Sequence, residues 1–326
     1  MNFIQTQKEV SKKLNDNKEW VNRFNRYANF ITLNTQNHIN GRRKFNIQWP
    51  FHLYSKISDL KNKYTLHYDL RFKGQSVATL TVKNDTVTIS TKDKEEKNKQ
   101  WFNIELSLKN VLWKGITASE YRKAFKESTY KRGKSPEHAL ESSLLSEFRQ
   151  QKKRLKSLYN IQPVLLANSF FQMPTPLTAS KKEIKYARKG GGIDILARVK
   201  HEDYQVRLCV MELKDEYNPS EPPEKVMSQA IAYATFIAHL LRSKSGKNWY
   251  NIFGFSGDVP ETLIIDTSIV MPYPKNGKVK HIKQEKIKIF DNTHIELYDL
   301  YFKDNTATEE GNNYKFIGSL KDVMLK

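Results

Sequence analysis

Two carboxylates and a lysine set into apolar runs mark where chemistry could sit. Asp194 follows Gly190-Gly191-Gly192 and opens onto Ile195 to Val199, while Glu212 and Lys214 close the run Val206 to Met211. A charge inside such a strand costs free energy unless something pairs with it. Side chains alternate along a strand, so Val206, Leu208, Val210, Glu212 and Lys214 share one face. Asp194 and Glu212 stand equally far from Asp203, in the polar break between the runs. A hairpin centred there sets the two acids opposite each other, about 5 Å apart at Cβ. Two facing carboxylates repel, and a hard divalent cation resolves the conflict: Mg²⁺ takes one or two carboxylates, waters and substrate phosphate oxygens.

The triplet Glu212-Leu213-Lys214 carries little alone, because the chain has 42 lysines and Glu183-Ile184-Lys185 repeats the pattern. Its weight comes from the glycine-led partner strand and the flanking helices. Upstream, Glu137 and Glu141 stand one turn apart on a helix face. Downstream, Gln229 and Tyr233 share that spacing on a second helix.

The elements that must position these residues are legible from periodicity and turn chemistry. A helix is predicted from Gln5 to Phe30, with Val10, Leu14, Val21, Phe24 and Tyr27 near helical spacing. Tyr64 to Phe72, Val77 to Val82 and Val87 to Ser90 read as an antiparallel meander broken by turn residues. Lys92 to Lys99 reads as a loop before a strand over Trp101 to Leu106. Ser135-Pro136-Glu137 is a helix start, with cap, proline and acid in place, and the helix is predicted to reach Leu158. A further helix is predicted from Pro223 to Ser243, after a loop from Asp215 rich in proline and acids. Strands are expected at Trp249 to Phe255, Leu263 to Met271, Ile287 to Phe290 and Ile295 to Phe302. The division expected is residues 1–130 as a smaller α+β or β-rich module and residues 131–326 as a second domain with a C-terminal strand extension.

Together these residues resemble the PD-(D/E)xK nuclease superfamily, in its restriction-endonuclease-like and RecB-like branches. The order runs from an acidic helix, through Gly-Gly-Ile-Asp ending at Asp194 and Val-Met-Glu-Leu-Lys ending at Lys214, to Gln229-x-x-x-Tyr233. The resemblance spans Ser135 to Leu241; isoleucine stands where the family motif has proline before the aspartate. It implies an α/β fold with a mixed sheet flanked by helices, and a metal-dependent phosphodiesterase leaving a 5′-phosphate and a 3′-hydroxyl. Asp194, Glu212 and the Leu213 carbonyl would hold Mg²⁺ or Mn²⁺, and Lys214 would orient the attacking water and offset transition-state charge. Glu141 or Glu137 would complete the acidic cluster, with Gln229 and Tyr233 in support. A restriction or defence role and a homodimer that cuts both strands follow by the same analogy.

Composition agrees with such a partner and excludes others. Lys and Arg outnumber Asp and Glu by 55 to 35, giving +20 and a pI near 9.7. That field attracts polyanions, although 42 of the 55 cations are lysine, which compositional bias also produces. Nucleic acid is the expected partner, DNA favoured over RNA. The single cysteine, Cys209, forms no internal disulfide and reads as a structural thiol. No apolar run reaches the roughly 20 residues that span a bilayer, and no signal-peptide pattern opens the chain, so an intracellular, cytoplasmic protein without membrane contact is expected. Two other readings stay open: a nucleic-acid-binding or scaffold protein on the same fold without catalysis, and a structural ion pair of Glu212 with Lys214 or Arg198.

Overall fold

The computed structural model describes residues 2–44, 51–57, 65–84, 86–128, 136–149, 160–179, 183–215, 221–308 and 311–324. The chain opens with α1 (Phe3–Asp16), α2 (Glu19–Leu33) and α3 (Thr35–Lys44), followed by β1 (Phe51–Ser55), β2 (Thr65–Phe72), β3 (Gln75–Lys83) and β4 (Thr86–Ser90). Then come α4 (Glu95–Phe102), β5 (Val111–Leu112), α5 (Gly115–Lys126) and α6 (Pro136–Arg149). Short strands follow: β6 (Ile161–Pro163), β7 (Leu165–Leu166), β8 (Ser169–Phe171), β9 (Leu177–Ala179) and β10 (Ile184–Tyr186). The hairpin β11 (Ile195–Lys200) and β12 (Val206–Leu213) leads to α7 (Pro223–Leu241), α8 (Gly246–Ile252) and β13 (Leu263–Pro272). The chain closes with β14 (Lys286–Phe290), β15 (Thr293–Thr308), β16 (Gly311–Ile317) and α9 (Ser319–Asp322). It is an α/β protein with mixed sheets.

Two compact units divide the chain. One comprises Met1–Ala28, Leu144–Val164 and Gln172–Lys326; the other comprises Asn29–Ser143 and Leu165–Phe171. This differs from the boundary expected near residue 130, because the apolar stripe of α1, with Val10 and Leu14 buried, packs on α7. In the smaller unit β5-β4-β3-β2-β1-β8-β7 form one sheet, with β2, β3 and β4 in the expected antiparallel meander. Its core gathers Tyr68, Leu80, Ile89, Phe102, Tyr121 and Phe125.

The larger unit is built on the sheet β14-β15-β13-β12-β11-β6, with β16 added on β15. β11 and β12 are antiparallel, whereas β12, β13 and β15 run parallel. Every residue of α7 from Val226 to Leu241 is buried, so this helix has no solvent face. It is a core element, since a helix apolar and buried on every side packs inside the fold. Cys209 is fully buried on β12, and burial pushes its thiol far above the usual value, as a structural thiol requires. Among the described residues no helix is long and apolar enough to cross a membrane.

Three elements depart from the sequence expectation. The helix expected over Gln5 to Phe30 is two helices, interrupted where the Asn17 side-chain amide donates back to the Lys13 carbonyl (2.9 Å) and Trp20 Nε1 donates to the Leu14 carbonyl (3.1 Å). The loop and strand expected over Lys92 to Leu106 are instead α4, which a left-handed Asn103 ends. Asn98 anchors it by donating to the Val77 carbonyl (2.9 Å), and Phe102 is fully buried. The strand expected over Trp249 to Phe255 is largely the helix α8, with Trp249 buried beneath it. The predicted extension of α6 from 150 to 158, and its cap Ser135, lie outside the described residues.

Two buried histidines tie stability to pH. His239, on the last turn of α7, bonds Ser11 Oγ at 3.0 Å and lies against Phe290, and burial pushes its pKa down to about 4. His38, in the smaller unit, meets the Tyr68 hydroxyl at 3.0 Å, and burial likewise pushes it down to about 4. A depressed histidine stabilises the fold fully above its unfolded pKa of about 6.5, and that contribution is lost as pH falls through the folded value. Urea melts are expected to show each neutral histidine's share, on the order of 2–3 kcal/mol, draining away between pH 6.5 and 4. His239→Gln should flatten the profile; an unchanged slope would contradict this.

Candidate functional site

The register of the hairpin settles how the two strand acids face. Ile195 pairs with Met211, Leu196 with Val210 and Arg198 with Leu208. One step further, Asp194 in the bend before β11 falls opposite Glu212, as a hairpin centred on Asp203 requires. The Leu213 amide donates to Asp194 Oδ2 at 2.9 Å, which fixes that carboxylate over the end of β12. Lys214 Nζ donates to Glu212 Oε1 at 3.1 Å, and its backbone amide bonds the Val270 carbonyl on β13. Glu212 and Lys214 are 5% and 8% exposed, so this charged pair is nearly desolvated. Structure therefore brings Asp194, Glu212, Leu213 and Lys214 together. Arg198 is committed elsewhere, donating to the Gly254 carbonyl and to Gln162.

The glycine triplet is what lets Asp194 reach this place. A Cβ on Gly190 would collide with the Thr175 carbonyl, and one on Gly192 would sit 3.1 Å from the Gln172 side chain. Gly191 exchanges backbone hydrogen bonds with Thr175 and Leu177. Main chain packs on main chain there, a contact that only glycine tolerates.

From α7, Tyr233 closes the site. Its hydroxyl accepts from the Ala179 amide at 3.3 Å. Burial, and then the nearby Glu212 and Asp194 carboxylates, push its phenol well above the usual value against the pull of the Ala179 amide and Lys214. Gln229 is buried one turn earlier on the same helix face. The acids of α6 are placed in the smaller unit. Glu141 is 2% exposed, 3.8 Å from Arg71 Nη1 and 3.3 Å from His138 Nδ1. Glu137 stands in the first turn of the same helix, half-buried.

Period two extends the site across the sheet. Glu212 shares its row and face with Ile269 and Asp299, and Lys214 continues the row of Met271 and Tyr301. At this C-terminal edge lies a cleft of about 860 Å³. Glu221, Lys275, Lys278 and Lys280 line it, together with Tyr273 and Tyr301. The lysine loop is pre-shaped: Tyr273 Oη donates to the Gly277 carbonyl at 3.0 Å, and Gly277 takes φ +73°. Crevices beyond the carboxyl ends of parallel strands are where α/β sheets bind ligands.

Glu221 escaped sequence reasoning. It is 4% exposed, and its Oε2 lies 3.9 Å from Lys214 Nζ. An acid in a polar, proline-rich loop resembles a solvated residue; only the following Pro222-Pro223 helix start hints that the loop is held against the strands.

Among the described residues, no group of three or more His, Cys, Asp and Glu side chains is close enough to hold a metal ion. Two facing carboxylates with a neighbouring carbonyl nevertheless suit a hard cation that keeps most of its waters. No family model, curated protein or solved structure matches the chain.

Proposed function

We propose that the chain is a metal-dependent nuclease of the PD-(D/E)xK, restriction-endonuclease-like kind, hydrolysing phosphodiester bonds of DNA. The observation that carries this is the register that sets Asp194 opposite Glu212 with Lys214 alongside; the next residue, Asp215, lines a lysine-bearing cleft. Charge of +20 supports a polyanionic substrate. A restriction or defence role and a homodimer remain part of this proposal, resting on resemblance alone.

In this reading Asp194, Glu212 and the Leu213 carbonyl would hold Mg²⁺ or Mn²⁺. The Leu213 amide keeps Asp194 aimed, and Lys214 donates to the attacking water and to a phosphate oxygen, where charge grows in the transition state. When bound, such a cation would make water more acidic and offset the charge of the phosphodiester. Lys275 and Lys278, exposed on the cleft loop, draw neighbouring phosphates in.

One observation favours a second reading, a nucleic-acid-binding protein without catalysis: Glu212 is already neutralised by Lys214. Mn²⁺ separates the two. Under the nuclease reading the thermal midpoint rises on adding Mn²⁺, by the equivalent of about 2.7 kcal/mol at a hundredfold excess over Kd. The Glu212→Gln protein shows no rise. An indifferent wild type would favour the inactive reading.

A further inference from the structure

Glu221 is a carboxylate almost wholly withdrawn from water, yet its hydrogen bonding is incomplete. Oε2 lies 3.9 Å from the Lys214 ammonium, too long for a direct bond. Oε1 is buried and has no hydrogen-bond partner among the described residues. A carboxylate has about four acceptor positions, and burying it with so few filled is costly. An unsatisfied buried group in a folded protein calls for an explanation, such as catalysis or a bound water or ion. Here the group borders the cleft, beside the lysine that also binds Glu212. Lys214 thus stands between two carboxylates, one facing Asp194 and the other on the cleft wall. Glu141 of α6 also keeps one buried oxygen without a hydrogen-bond partner, but its other oxygen meets His138 Nδ1 at 3.3 Å and it belongs to the smaller unit.

We propose that Glu221 is the third acidic group of the site and a catalytic residue, the one that holds the attacking water and takes its proton. The assignment rests on the nuclease reading. Water oxygen bonds to phosphorus while its proton passes to a Glu221 oxygen. The bond from phosphorus to the 3′-oxygen breaks, its electron pair leaves with that oxygen, and a solvent proton completes the hydroxyl. Glu221 then returns its proton to solvent. Lys214 lies between the two halves of the site, bonding Glu212 at 3.1 Å and standing 3.9 Å from Glu221.

Glu221→Gln keeps the shape and removes the basicity. Its rate of cleaving a labelled DNA oligonucleotide with Mn²⁺ is expected to fall about 10²–10⁴-fold, the usual contribution of a general base. Binding of the same oligonucleotide in metal-free buffer should change less than about twofold, and Glu221→Asp should recover part of the rate. The metal-free thermal midpoint of Glu221→Gln should stay level or rise, since a poorly satisfied buried charge is gone. Cleavage within threefold of wild type would overturn the proposal. So would a fallen midpoint, the mark of a structural counter-ion for Lys214. A wild type that cuts nothing would sink the nuclease reading instead, and the direction of the midpoint would still judge the structural alternative.

Discussion

Purified protein given Mg²⁺ or Mn²⁺ should cut DNA, and Asp194→Ala and Lys214→Ala should each lower the rate by about 10²–10³-fold or more. The two losses have different origins. Asp194 accepts a hydrogen bond from the Leu213 amide and lies outside the paired strand residues, so Asp194→Ala removes a proposed cation ligand and leaves the hairpin paired. Lys214→Ala removes the ammonium that bonds Glu212 and lies 3.9 Å from Glu221, taking counter-charge from two buried carboxylates. Breaking such a buried pair costs on the order of 3–5 kcal/mol. Lys214→Ala should therefore melt earlier while Asp194→Ala does not, and both should keep the far-ultraviolet spectrum of the wild type. Cleavage persisting in both would remove the catalytic assignment.

The second large effect is expected in the core. Trp249→Ala should destabilise the larger unit by about 3–5 kcal/mol, measured by urea unfolding. Trp249 is fully buried, its ring lies 6.0 Å from Phe24 and 5.6 Å from Phe253, and its indole donates to the Phe24 carbonyl at 3.1 Å. Phe236 and Trp20 join the same cluster. Trp249→Phe should lose less, because it keeps most of the ring volume and forfeits mainly the hydrogen bond. A loss below 1 kcal/mol for Trp249→Ala would mean that α8 does not help close this core.

Trp249 also shows where the sequence stops being readable. Aromatic residues packed closely between Trp249 and Phe255 look like a strand, yet α8 forms because the indole finds its acceptor on α2. Tertiary contact outweighs local preference there, and at Phe102 on α4 for the same reason. Strands whose alternation follows one buried face were legible: β2, β3 and β13 fall where the apolar pattern puts them. So was the pairing of Asp194 with Glu212, because hairpin register is arithmetic on chain positions once the turn is known. Glu221 was not legible. It borders the same cleft as Met271 to Lys280, segments far away in sequence, and no local pattern reports that.

The way α1 docks has a consequence for how the protein is made. α1 leaves the ribosome about 200 residues ahead of α7, the helix it covers, an interval of some 10–40 s at ordinary elongation rates. Through that interval Val10 and Leu14 lack the surface of α7, and the nascent chain carries this apolar stripe uncovered by it. Synthesis order thus runs against assembly order, and the interval before α7 emerges is when the nascent protein most needs a chaperone.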